Sequence, residues 1–497
     1  MPGFVGRRRE LALLGGLFDE VRQQSASGRR GKCVILRGRR RIGKSALVEE
    51  FIEQQGVPSV FYTAEIGFGG QPLREFTEAV QLSGLPEANV FDDAVPGNWA
   101  AALRQLAGVL PDDQPSIVVL DELPYLMDSE GAFESVLQRS WDRELSRKPV
   151  LLILVGSDLS MMEALSSYGR PFHQRGTQLV VEPLNPADIA MMAGLPAAVA
   201  FDAALITGGL PIICARWREG EDARSFLARE LASPVSPLVV SAQLSLAAEF
   251  PDQAHARVVL AAIGSGERTF TNIARAAGGI SHSTLTRAAD LLTSKGVGAG
   301  ELPVSLSPSK ERRYRVADPY LRFWLAFVGP HLSEIDRMRS DLTLARIDRS
   351  WTDWRGRAVE PLVRDALARL LPSQGIPAAP VLGGYWTRSN DVEIDIVGAD
   401  RGPVARELLF LGSVKWLETG QFDDHDLVAL QRHRDRVTSD PLPLIAVSRA
   451  GASTCRADAV FTPEDLMRAW LGHGVTWGAG CRIHWDLPGE RRYRVRA

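Results

Sequence analysis

Residues 38–45 read Gly38-Arg39-Arg40-Arg41-Ile42-Gly43-Lys44-Ser45, directly after the apolar run Cys33 to Leu36. Ala46 follows, and then Leu47, Val48, Phe51 and Ile52 fall on one helical face. A buried strand, a glycine-containing loop and an amphipathic helix in this order leave few folds open. The glycines let the backbone curl so that successive amides point inward, and the helix N-terminus adds partial positive charge. Together they form a phosphate cradle, so Gly38 to Ala46 are the candidate nucleotide-binding residues. In this P-loop pattern Lys44 bridges the β- and γ-phosphates of ATP and Ser45 ligates Mg²⁺. ATP is the expected nucleotide, with GTP left open because the loop is blind to the base.

A second half is required, because the metal needs a carboxylate at a strand end and hydrolysis needs a residue that positions water. Ser116-Ile117-Val118-Val119-Leu120-Asp121-Glu122 supplies both. Asp121 is expected to hold the magnesium through water, and Glu122 to polarise the attacking water. A third apolar run, Val150 to Val155, ends in Gly156-Ser157-Asp158. Those polar residues either sense the γ-phosphate or make an ordinary strand-end turn.

The chain has 497 residues, roughly three domains at about 150 residues each. The runs Cys33–Leu36, Ser59–Thr63, Ile117–Leu120, Val150–Val155 and Gln178–Val181 alternate with helical periodicity. This predicts an α/β fold, a P-loop NTPase parallel sheet with a helical lid, over residues 1–235. Pro234 and Pro237 mark a break, and residues 236–330 are expected to form a winged helix-turn-helix domain. A helical linker over 331–352 then leads to a small α/β domain over 353–497, with strands at Val392–Val397 and Leu408–Trp416.

In the middle domain, Thr269 to Ala277 reads as a helix and Gly278-Gly279 as a turn. Ser281 reads as the N-cap of a second helix running to about Lys295. Gly296 to Val316 holds two β-like pieces with a polar tip, Ser307 to Arg313, expected as a wing. Between Asp252 and Arg322 ten basic and six acidic residues give a local net charge of +4, against −3 for the chain. His282, Ser283, Thr286 and Arg287 are able to reach base edges in a major groove. Double-stranded DNA is therefore a candidate partner, and a packing module is the alternative.

The longest apolar runs fall far short of the ~20 residues a membrane helix needs, and the start, MPGFVGRRREL, lacks a secretory core. The four cysteines, Cys33, Cys214, Cys455 and Cys481, show no metal-type spacing. A cytoplasmic chain with free thiols, not a membrane protein, is the expectation. Only six of the 57 basic residues are lysine, and two of them, Lys44 and Lys415, fall on motif positions. There a compact ammonium suits phosphate or metal chemistry better than a wide guanidinium.

Phe4-Val5-Gly6-Arg7 with Glu10-Leu11, the Arg-rich P-loop, Asp121-Glu122 and Gly208-Gly209-Leu210-Pro211 resemble the archaeal-type ATPases. These are relatives of the signal-transduction ATPases with numerous domains. The resemblance implies that Val5 and Gly6 lie near the base, and that the turn ending in Pro211 reports nucleotide state from the lid. It also implies that Arg175 faces phosphate. From the residues alone, Pro211 makes a rigid turn and Arg175 is one surface arginine among many. Asp318-Pro319-Tyr320-Leu321-Arg322-Phe323-Trp324 is similar to the family segment that closes the winged helix, with its aromatics in the core.

The resemblance further implies a C-terminal restriction-endonuclease-like domain, with Glu360 as its first acid, Asp395 as the acid at a strand end, and Lys415. The expected Glu-x-Lys reads Ser413-Val414-Lys415 here. Glu407 would lie roughly 20 Å from Ser413 along one strand, too far to substitute, whereas Glu393 shares a strand face with Asp395. A degenerate nuclease-like domain is the expectation. The leading functional expectation is a Mg²⁺-dependent, ATP-hydrolysing switch that couples nucleotide state to these two modules. Its alternatives are an ATP-gated DNA nuclease using Glu360, Glu393, Asp395 and Lys415, and a non-catalytic ATP-binding interaction module. A protein partner and a homo-oligomer are further expectations.

Overall fold

A computed structural model of the chain describes residues 4–23, 31–65, 71–93, 95–250, 253–471, 476–477 and 483–484. The chain divides into two compact units, Met1–Pro183 and Leu184–Ala497.

In the first unit five strands, β1 (Lys32–Arg37), β2 (Ser59–Thr63), β3 (Ser116–Asp121), β4 (Val150–Gly156) and β5 (Thr177–Val180), form one sheet in the order β2-β3-β4-β1-β5. Every pairing is parallel. The P-loop NTPase sheet is thus present. The central strands read as continuous apolar runs because helices cover both faces, and every residue of β3 and β4 is buried. Alternate side chains feed two cores: Cys33 and Ile35 join one, Val34 and Leu36 the other. On the second face, α1 (Arg8–Gln23) and α2 (Lys44–Gln55) meet edge to face through Phe18 and Phe51, ring centroids 6.0 Å apart. After β1 the chain crosses to the far edge of the sheet, and after β4 to the opposite edge. Such a reversal opens a crevice beyond the carboxyl ends of the strands.

In the second unit, α3 (Ala197–Thr207) is buried along almost its whole length. Further on, α4 (Phe270–Ala276) follows the N-cap position Thr269, Gly278 and Gly279 turn at φ 85° and 75°, and α5 (His282–Ser294) starts at Ser281. The Ser281 hydroxyl accepts from the Thr284 amide at 3.2 Å. The antiparallel pair β6 (Gly298–Glu301) and β7 (Arg313–Val316) completes the winged helix-turn-helix arrangement. Then α6 (Ser340–Leu370) runs for 31 residues, so the boundary expected at 352/353 falls inside a helix. Thr343, Ile347, Arg355, Val359, Val363 and Ala366 give it one buried stripe across that boundary.

The last strands, β8 (Val381–Trp386), β9 (Glu393–Ala399), β10 (Leu408–Lys415), β11 (Leu444–Ser448) and β12 (Ala459–Phe461), form a mixed sheet in the order β12-β11-β10-β9-β8. Strands β8, β9 and β10 are antiparallel, and β10, β11 and β12 parallel. Helix α7 (Asp424–Val437) packs on it. One apolar core runs from Leu184 through the winged helix to Met467, and a second gathers around Val397, Leu411 and Leu427.

The wing has a seat that the sequence did not specify. Its tip does not simply project into solvent but is seated on the β8 side of the mixed sheet. The Val304 amide donates to Gly384 O at 2.9 Å, Ser305 N to Pro403 O at 3.0 Å, and the Trp386 indole to Glu311 O at 2.7 Å. The Arg313 guanidinium lies 4.6 Å from the centroid of the Trp386 ring. The apolar Val304 and the broad Trp386 surface favour this contact over hydration, while Lys310 and Arg312 stay exposed. Among the described residues no single helix is long and apolar enough to cross a membrane.

Candidate functional site

The phosphate loop follows from its glycines. A Cβ on Gly38 would lie 2.7 Å from Val181 O, so only glycine fits beside that backbone. Gly43 starts α2 at φ 86°, a left-handed conformation that favours glycine, and Arg41 adopts φ 64°. Lys44 is buried, and its ammonium donates to Gly38 O at 2.9 Å and Arg39 O at 3.1 Å, closing over its own loop. Burial lowers its pKa, the Glu122 and Asp121 carboxylates oppose that, and Arg40 adds to the lowering. Arg40 in turn reaches the Tyr125 hydroxyl at 2.7 Å.

The acids sit where the sequence puts them, at the end of β3. The Ser45 hydroxyl donates to Asp121 Oδ2 at 2.7 Å, and Asp121 Oδ1 accepts from the Glu122 amide at 2.8 Å. Glu122 takes φ 51°, and its carboxylate accepts from the Ser157 hydroxyl at 2.8 Å. Of the two polar residues after β4, Ser157 therefore joins the acids, while Asp158 caps the next helix by accepting from the Met161 amide. A hydroxyl beside a carboxylate suits a hard cation that keeps several waters, so the pair fits Mg²⁺.

Arg7, part of the motif Phe4-Val5-Gly6-Arg7, was given no role of its own by the sequence. Buried at φ 61°, it donates to Ile42 O at 2.7 Å and also to Glu182 O, fastening the Val5-Gly6 turn to the P-loop. The one sequence signal was its place after Gly6 and three residues before Glu10, with which it pairs at 3.4 Å.

Arg175, which the resemblance implied faces phosphate, is part of an internal ion pair in this structure. Asp142 binds its guanidinium through Nε at 3.0 Å and Nη2 at 2.9 Å, and the carbonyls of Pro171 and His173 take Nη1. Its donors are engaged within the protein. Pro211 belongs to the second unit, where it opens the short helix Pro211–Cys214. Gly208 and Gly209 precede it at φ 59° and 67°, and a Cβ on Gly208 would meet the Tyr320 Cβ at 2.6 Å. The glycine turn thus packs against the segment that closes the winged helix.

On α5, His282, Ser283, Thr286 and Arg287 are all exposed. In the mixed-sheet domain Glu360, Glu393, Asp395, Ser413 and Lys415 line one cleft of about 520 Å³ with His433. Asp395 Oδ2 accepts from the Val414 amide at 2.7 Å and the Ser413 hydroxyl at 3.1 Å. Where the resemblance called for an acid, a serine donates to one. Burial raises the Asp395 pKa, and burial together with the neighbouring Asp395 pushes Glu360 up to about 7 against Arg364 and Arg322. Glu393 is ion-paired with Arg313 of β7, and Lys415 with Asp426 of α7. Among the described residues no group of three or more His, Cys, Asp or Glu side chains is arranged to hold a metal ion. Ser413 thus stands where an acid was expected, and Glu393 and Lys415 are each held in an ion pair.

Residues 324–430 match the family model DUF234, described as archaeal and bacterial proteins of unknown function. The uncharacterized protein MJECL04 of Methanocaldococcus jannaschii is 24% identical over 441 residues, covering 86% of this chain and 90% of the relative. Among solved structures, the Walker-type ATPase PABY2304 of Pyrococcus abyssi aligns with a TM-score of 0.47 at 17% identity, over 65% of this chain and 96% of that one. The ORC2 protein of Aeropyrum pernix, in ADPNP and ADP complexes, aligns at 0.42 and 15%, over 69% and 96%.

Proposed function

We propose that the chain is a Mg²⁺-dependent, ATP-binding and ATP-hydrolysing switch protein. The observation that carries this reading is the hydrogen-bonded chain Ser45–Asp121–Glu122–Ser157 beside the buried Lys44. In this reading the loop amides and Lys44 bind the phosphates, with the ammonium leaving the Gly38 and Arg39 carbonyls to do so. Ser45 and Asp121 would hold Mg²⁺, which when bound offsets the negative charge of the phosphates. Glu122 accepts a proton from, or orients, the attacking water, and Ser157 fixes the direction of its carboxylate. Val5 and Gly6, tied down by Arg7, would border the base.

The output of the switch is assigned to the second unit. Duplex DNA would meet the exposed face of α5, with Arg287 for phosphate or base contact, while the seated wing contributes Lys310 and Arg312. DNA cleavage is not part of the proposal, since Ser413 stands in place of the expected acid and Glu393 and Lys415 are ion-paired.

Mg-ATP turnover by wild type, Lys44→Ala and Glu122→Gln, with and without duplex DNA at low salt, tests this. Lys44→Ala should lose binding and turnover together. Glu122→Gln should keep binding and lose about 10²-fold or more in turnover, the range for a positioned acid or base. A Glu122→Gln protein as fast as wild type would remove Glu122 from the mechanism. Stimulation by DNA would support the α5 assignment, and indifference to DNA would point to a protein partner.

A further inference from the structure

A second, narrower cavity of about 50 Å³ lies in the second unit where the wing, α6 and β9 meet, with room for a group of only a few heavy atoms. Arg268, Arg313, Arg315, Arg322, Arg357 and Arg364 line it, with four carboxylates in the same wall. Three of those carboxylates have their own arginine: Glu301 takes Arg315, Glu393 takes Arg313, and Glu360 takes Arg364 at 3.4 Å. The fourth, Asp395, is served by the Val414 amide and the Ser413 hydroxyl.

Arg322 and Arg357 bond to backbone carbonyls, and Arg268 shares Glu393 with Arg313. Arg268 approaches Glu393 only at 3.8 Å. Arg357 Nε makes a long contact of 3.4 Å to Asp353 O. Arg322 donates to Arg357 O and Ala358 O at 3.2 and 3.4 Å. The first of these carbonyls is left over because Pro361, four residues on, has no amide to give it. Like charges crowded in a poorly hydrated space repel strongly. Burial, together with Arg315, Arg357 and Arg268, pulls the Arg322 pKa down to about 10 against the pull of Glu360. Converging guanidiniums in excess of their counter-charges match a polyanionic oxygen group, which they bind through several charge-assisted hydrogen bonds.

We propose that this cavity is a phosphate-binding site that takes a dianionic phosphoryl group on Arg268, Arg322 and Arg357. The wider cleft shares Arg268, Arg357, Glu360, Glu393 and Asp395 with it, and so offers room for whatever carries the phosphoryl group. Free phosphate and the 5′-phosphate of a nucleic acid present the same chemistry. The site is independent of the ATPase reading, because its residues belong to a different unit from the P-loop.

The full-length Lys44→Ala protein, in which the P-loop no longer competes, is titrated calorimetrically at low salt with three probes. These are inorganic phosphate and a short single-stranded DNA carrying either a 5′-phosphate or a 5′-hydroxyl. Saturable binding of a phosphate-bearing probe is expected, weakened about tenfold or more by Arg357→Gln and by Arg268→Gln. Arg357 is exposed and Arg268 half-buried, so both substitutions should leave the core intact, which circular dichroism and melting verify, and Arg357→Lys should recover part of the affinity. A 5′-phosphate preference of about tenfold, with competition by phosphate, identifies a nucleic-acid end as the source. Equally tight binding of inorganic phosphate identifies the free ion. Absence of saturable binding by every probe, or binding unmoved by the two glutamine substitutions together, overturns the proposal.

Discussion

Glu122 adopts a left-handed conformation, and its carboxylate accepts a hydrogen bond from the Ser157 hydroxyl. A hydrogen bond to a charged group contributes roughly 1.5–3 kcal/mol. Ser157→Ala is therefore expected to lower turnover by about tenfold or more while leaving ATP affinity unchanged. A change in affinity alone, seen in parallel binding and turnover titrations, would place Ser157 on the nucleotide instead. A second residue-scale prediction concerns Glu360, whose pKa is raised from 4.5 to about 7. Between those values the folded chain keeps a proton that the unfolded chain releases. The stabilisation is thus full below the unfolded value and is lost as the pH rises through the folded one. At about 1.4 kcal/mol per pKa unit the loss is up to roughly 3 kcal/mol. Glu360→Gln, neutral at every pH, should gain in melting temperature on wild type between about pH 5 and pH 8, and a pH-independent gap would refute the linkage.

At the scale of elements, what was legible in the sequence was what is contiguous in it. The P-loop needs only a strand, a loop and a helix in succession, and all five strands of its sheet were readable to within a residue or two from their apolar runs. The two helices of the helix-turn-helix announced themselves through Ser281 and the paired glycines. The seat of the wing was not legible, because it depends on Trp386 and Glu393, which lie far along the chain from Glu311 and Arg313. Ser413 was readable as a missing acid, but its donation to Asp395 requires the register of two strands. Pro361 likewise argues against a long helix until Arg322 is seen to serve the carbonyl it strands. Arg313→Ala removes both the ion pair and the ring contact of the wing. Amide exchange over residues 306–312 should then accelerate by about tenfold, as expected when a local opening loses its anchor. An unchanged rate would mean that the backbone bridges alone hold the wing.

At the scale of the molecule, the second unit is bound through buried charge as well as apolar packing. Asp202 of α3 lies 3.1 Å from both Arg355 of α6 and Arg449, and Arg355 also donates to Trp416 O and Glu418. Arg355 and Asp202 are almost wholly buried, and in a chain whose basic residues are nearly all arginine nothing in composition marked this one as interior. Removing one member of such a cluster strands the others, which typically costs about 3–5 kcal/mol. Asp202→Asn should accordingly destabilise the unit by about 3 kcal/mol, since Glu418 remains. Urea unfolding followed by tryptophan fluorescence would read this, and a shift under about 0.5 kcal/mol would show that the cluster contributes little.

Arg355 and Glu360 share one uninterrupted helix, five residues apart. At about 1.5 Å and 100° per residue, they stand roughly 7.5 Å apart along the axis and about 140° apart around it. One is anchored in the charge cluster on α3, and the other lines both cavities beside β9. Deleting a single residue between 356 and 359 would swing one anchor by about 100° relative to the other, a misalignment that neither packed end can absorb. The number of residues in that short span is therefore a mechanical dimension of the protein. Evolution can change the side chains there, but length variation must be taken up in loops outside the helix.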